Sequence, residues 1–227
     1  MDYIPWPDPT FPREPAHALA FEGTGPHRLL IVPALFDEGN RLRRLTVEVQ
    51  RRLAARHTIT SVMPDLPGCN ESLAPLEAQN LASWRGAMEA CAVHFGATHV
   101  LGLRGGALVT PCTLPALHYA PVTGAAILRQ MLRARLLSAR EAGRTETRAD
   151  LEELARTQGL NLNGYRIGAC LFSDLEQTEL RGDAQDLPQS QIGGAGLWLR
   201  AEPGESPEQA DTLTRAVAEW VERSARP

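Results

Sequence analysis

Short unbroken apolar runs alternate along this chain with longer stretches in which apolar positions recur every three or four residues. Arg28 to Pro33 (RLLIVP), Thr58 to Gly68 (TITSVMPDLPG), Thr98 to Leu103 (THVLGL) and Pro115 to Val122 (PALHYAPV) are of the first kind. Each is bounded by Gly, Pro or polar residues, which predicts buried strands. From Asn40, NRLRRLTVEVQRRLAAR sets Leu42, Leu45, Val49 and Leu53 on one stripe with arginines opposite, an amphipathic helix that Asn40 is placed to cap. NLASWRGAMEACAVHF predicts a second helix, and GGALVTP begins a third that Pro111 cuts short. Strand and helix alternating across short loops predicts an α/β fold, with a mostly parallel sheet and helices on both faces.

The alternation breaks after residue 121. Residues 124 to 180 read as helical throughout, with no strand, in three segments: GAAILRQMLRARLLSAREAGR, TRADLEELARTQG and one around IGACLFSDLEQTEL. The expectation is a helical cap over about 121–180, inserted into a single domain 1–227 whose core is 28–120 and 181–227. The strand pattern returns once, in GAGLWLR (Gly194 to Arg200). The chain then closes in a helix with Ser206 as N-cap, Pro207 at its first position, and Leu213, Val217 and Trp220 facing in. The Pro-rich first 27 residues predict an extended arm and an edge hairpin.

Composition narrows the function classes. At 227 residues the chain can bury one sizeable core. A net charge of −4 argues against nucleic acid as a partner. No apolar run reaches the length of a membrane span, and the N-terminal stretch lacks the basic start and apolar core of a secretory signal, so a cytoplasmic protein is expected. Four widely spaced cysteines (Cys69, Cys91, Cys112, Cys170) without a CxxC pair read as reduced thiols. The histidines form no HxxxH or HExxH pattern, so no metal site is implied, and no GxGxxG follows the first strand, which argues against a Rossmann-type cofactor binder. Every basic residue is arginine, which favours rigid, bidentate contacts with anions wherever arginines gather.

The most informative stretch is VLGLRGGAL, Val100 to Leu108. A strand running into a glycine-flanked turn and then a helix is the setting of the G-x-S-x-G nucleophile elbow, in which the flanking glycines let strand and helix pack closely. Gly102 and Gly106 hold those positions around Arg104. Upstream, MPDLPGCNES resembles the D-x-P-G-x-G-x-S turn of α/β-hydrolases, with Asn70 where a glycine usually stands. VPALFDEGNRLRR follows the first core strand, where those enzymes carry their oxyanion loop. Taken with SWRGAMEA, APVTGAAILRQMLRARL and LNGYRIGA, these segments resemble the exosortase A system-associated hydrolases of type 2 over roughly residues 28 to 180. The resemblance implies an α/β-hydrolase fold with a helical cap, in a bacterial exopolysaccharide or protein-sorting setting.

It also implies an ester or thioester hydrolase or acyltransferase, and the residues resist that. Arginine can neither be deprotonated nor attack a carbonyl, so Arg104 is no nucleophile. The loop expected to carry the acid is AEPGES, with Glu202 and Glu205, and no histidine follows His118. A Ser–His–Asp set in the usual order is therefore not expected. Ser72, Ser83 or a Cys69–His118 pair are the substitutes the sequence offers. Two readings of Arg104 stay open. It forms an anion site at a helix N-terminus, to which Arg41 and the arginine-rich cap helix could add, with Asn40 a further candidate binding residue, or it pairs with a carboxylate, Asp37 or Glu38, on the facing loop. The pair is favoured, and a ligand could displace it. The partners left in view are a small anionic or acyl ligand, a partner protein or a second copy of the chain. The arginines of the first cap helix are a solvated face or, if clustered, a surface for a partner or polyanion.

Overall fold

The computed structural model describes residues 1–224. Among them a seven-stranded sheet runs in the order β1-β2-β4-β3-β5-β6-β9. β1 (Asp2–Trp6) and β2 (Ala16–Phe21) form the expected N-terminal edge hairpin, and β2 pairs antiparallel with β4 (Thr60–Pro64). From β4 onward every pairing is parallel: β4 with β3 (Arg28–Val32), β3 with β5 (His99–Leu103), β5 with β6 (Ala116–Tyr119), and β6 with β9 (Gln185–Leu187). The apolar runs are continuous because both faces of these strands are covered. Along β3, Leu29 and Ile31 enter one core, and Leu30 and Val32 the other.

The first core lies under α1 (Asp37–His57) and the closing α7 (Pro207–Ser224), which pack on each other. The second lies under α2 (Leu81–His94) and the cap. The cap comprises α3 (Gly124–Glu141), α4 (Arg148–Gln158), a hairpin of β7 (Leu160–Leu162) and β8 (Tyr165–Ile167), and α5 (Ala169–Gln177). A four-residue α6 (Gln189–Ile192) follows β9. No helix among the described residues is long and apolar enough to cross a membrane.

Four local readings are corrected. The cap contains a hairpin: Asn163 and Gly164 both take positive φ, 53° and 89°, the twist a two-residue Asn-Gly turn supplies. GAGLWLR is not a strand, because Gly193 and Gly194 at φ 85° and 68° turn the chain, and Leu197–Leu199 forms a 3-10 turn. The last sheet position goes instead to Gln185–Leu187, an edge strand with one buried residue. The segment after the elbow is also a 3-10 turn, Arg104–Val109. Finally, α1 starts at Asp37, so Asn40 lies within it and caps nothing; Phe36, at φ 54°, is its boundary residue. Ser206 does cap α7, its Oγ accepting from the Gln209 amide at 3.3 Å.

Candidate functional site

The turn after β5 has the backbone of a strained elbow. Arg104 sits at φ 50°, a region that non-glycine residues occupy only where the surroundings hold them. The surroundings are visible at the flanking glycines. A Cβ on Gly106 would stand 2.3 Å from the Pro33 carbonyl oxygen and 2.6 Å from that of Val32. One on Gly102 would meet the Ala107 Cα at 2.8 Å. Side chains are excluded at both positions so that strand, turn and the β3 loop can touch.

The arginine side chain is fully engaged. Its Nε donates to Glu38 Oε2 and its Nη2 to Glu38 Oε1, both at 3.0 Å, a fork-on-fork pair. Nη1 donates to the Ala120 carbonyl at 2.7 Å. The guanidinium carbon lies 4.1 Å from the centre of the Trp198 ring, close enough for cation–π attraction. Trp198 stands edge-on to Tyr119, whose hydroxyl donates to Gln189. Both partners of the ion pair are nearly out of water, at 13% and 11% side-chain exposure. The space above the elbow is thus filled by a carboxylate from α1 and an indole from the 3-10 turn after α6.

The neighbouring candidates divide between two places. Arg41 is tied to the Trp198 carbonyl at 3.0 Å and braces that turn. Asp37 and Asn40 point to the cap, where each lies within 3.5 Å of the Tyr165 hydroxyl. Tyr165 closes a cavity of about 100 Å3 between Pro33–Phe36 and the 66–70 turn. Burial, with the nearby Asp37 charge, pushes its phenol up to about 12. Sequence reasoning passed over Tyr165, Trp198 and Ala120; only the Asn-Gly turn signal pointed towards the first.

No protein-family model matches the sequence, and no curated protein matches it. Solved structures do resemble it. Alpha/beta hydrolase domain-containing protein 10 from mouse superposes at a TM-score of 0.56, covering 99% of this chain and 100% of that one at 10% identity. A thermophilic esterase from Thermogutta terrifontis gives 0.53, with complete coverage of both chains at 14% identity. A proline iminopeptidase from Mycobacterium smegmatis gives 0.51, with 98% of each chain covered at 12% identity. The fold is that of the α/β-hydrolases. The chain spans 38% and 42% of the length of two epoxide hydrolases, VrEH1 from Vigna radiata and CorEH, at TM-scores of 0.43 and 0.42.

In this α/β-hydrolase fold the substitute nucleophiles have structural work. Ser72 Oγ accepts from the Gly68 amide at 3.0 Å and holds the turn after β4. Ser83 completes a capping box with Asn80 at the start of α2. Burial and the Asp65 charge push the Cys69 thiol up to about 12, away from the thiolate that attack requires. Cys69 lies in the turn that follows β4 and His118 on β6, with β3 and β5 between those two strands, which stand about 14 Å apart in the sheet. His118 is fully buried. Its Nε2 meets Thr110 Oγ1 at 3.2 Å and its Nδ1 lies 3.8 Å from Asp186. That hydroxyl–imidazole–carboxylate row is closed to substrate, since Thr110 is 3% exposed. Glu202 is exposed, and Glu205 pairs with Arg44 across the surface.

Proposed function

We propose that this chain is a non-hydrolytic, or at most weakly active, α/β-hydrolase-fold protein. It serves as a cytoplasmic accessory subunit in exopolysaccharide- and exosortase-associated processes, as a single domain with a cap over about 121–180. One observation carries the reading: the residue at the tip of the elbow is Arg104, with Glu38 and Trp198 packed on it where an acyl group would have to sit. Nucleophilic catalysis needs an attacking atom within hydrogen-bond reach of a base and open to substrate. The elbow instead holds a neutralised cation. The cellular setting rests on the motif set of residues 28 to 180. A small anion could engage Arg104 only by displacing Glu38, which makes the pair a gate on any ligand there.

The test is a fluorophosphonate probe combined with turnover of p-nitrophenyl acetate and butyrate. We expect no labelled residue and no rate above buffer. Turnover accompanied by labelling of one defined serine overturns the reading and favours an ester or thioester hydrolase with an unorthodox site.

A further inference from the structure

The cap's arginines are mostly neutralised in place. Arg135 and Arg144 pair with Glu146, Arg148 with Glu152, and Arg156 with Glu176. Among the described residues, Arg129, Arg133 and Arg140 have no ion pair and no side-chain hydrogen bond, although all three are exposed on α3. With Leu136, which is partly buried against the core, they fall at spacings of 4, 3 and 4, so the three exposed arginines and the half-buried leucine make one stripe along the helix. The stripe lies along a groove of about 640 Å3, to which the exposed Leu137 adds apolar surface, with Arg148, paired with Glu152, at its rim. Leu137 is 53% exposed. From residue 129 to 140 the stripe runs about 16 Å, at 1.5 Å per residue. Three uncompensated cations thus stand beside leucines on a chain of net charge −4.

We propose that this groove docks an acidic amphipathic helix of a partner protein. A 4-3-4 stripe is the seam along which a second helix packs lengthwise. Arginine forks match carboxylates two oxygens at a time, and the leucines call for apolar residues between them. A flat bilayer does not follow a concave groove, and a purely charged chain leaves the leucines uncovered. The inference is separate from the elbow: it concerns α3, and its readout is binding.

The experiment uses the full-length protein and fluorescence anisotropy of a labelled helical peptide of about 18 residues, long enough to cover the stripe. The peptide carries Glu at a and d and Leu at the flanking e and g positions. Its control has Gln for every Glu, and phosphatidylglycerol vesicles form a third arm. The Glu peptide should bind saturably and weaken on going from about 50 to about 200 mM NaCl. The R129Q/R133Q/R140Q variant should bind it about tenfold more weakly, and L137D should also lose affinity. Circular dichroism checks that both variants are folded. Equal binding of the Gln peptide, or unchanged binding by the triple variant, overturns the proposal. Arginine-dependent sedimentation with vesicles without peptide binding overturns it in favour of a lipid surface.

Discussion

Removing Glu38 should destabilise the protein far more than a surface charge change, and the structure gives the size. Breaking a buried ion pair by deleting one partner costs about 3–5 kcal/mol, because the remaining charge is stranded. Here both side chains are nearly excluded from water, but Arg104 keeps the Ala120 carbonyl and the Trp198 ring. We therefore expect Glu38→Ala to cost about 2–3 kcal/mol. Arg104→Ala has a different composition. It strands Glu38 less severely, since that carboxylate lies in the first turn of α1, where free N–H groups and the helix dipole contribute about 0.3–1 kcal/mol. It also forfeits the indole contact and the Ala120 carbonyl's donor, each about 1 kcal/mol. The double variant strands neither charge. Urea unfolding of all four proteins then gives a coupling energy, which we expect to be about 2 kcal/mol and to change little with salt. A coupling below about 0.5 kcal/mol, the range of exposed pairs, would refute the picture of a sequestered charge filling the elbow.

Other expectations rest on different parts of the fold. Gly106→Ala should cost about 3 kcal/mol in chemical unfolding, since its Cβ would overlap the Pro33 carbonyl oxygen, whereas Gly182→Ala, with nothing within 4 Å, should be silent. Thr58 ends α1 at φ 58°, a left-handed conformation that a β-branched residue tolerates poorly, so Thr58→Gly should raise stability by about 0.5–1 kcal/mol and the melting temperature by a few degrees. Burial lowers the imidazole pKa of both His99 and His118, with His27 adding to the first and Asp186 partly opposing the second. Both are then neutral in the fold and bind protons more readily when unfolded. Stability is full above about pH 6.5, the unfolded value, and is lost as pH falls through the lower folded values. Melting temperatures across pH 8 to pH 5 should show this fall, with a shallower slope in His118→Gln; a flat profile counts against buried neutral imidazoles.

The elbow was legible in the sequence because its demands fall on the backbone. Gly102 and Gly106 are required by contacts under 3 Å that any Cβ would make, whatever stands between them. The parallel strands were legible because burial on both faces writes an unbroken apolar run. β9 was not: as an edge strand it buries only Leu187, and its Gln185 and Asp186 read as loop, while GAGLWLR offered the apolar run without the extended backbone. The choice of Glu38 over Asp37 turned on a boundary. Starting α1 at Asp37 rather than near Asn40 rotates Glu38 towards the elbow and Asp37 towards the cap. Trp198 was hidden for the same kind of reason, since its contact with Arg104 depends on a turn that two positive-φ glycines create. Backbone geometry and side-chain chemistry therefore separate at this site. The turn that would present a nucleophile is kept by packing between β3, β5 and the 3-10 turn. What it presents is set by the two elements that meet over it, and in this chain those supply a carboxylate and an indole suited to an arginine.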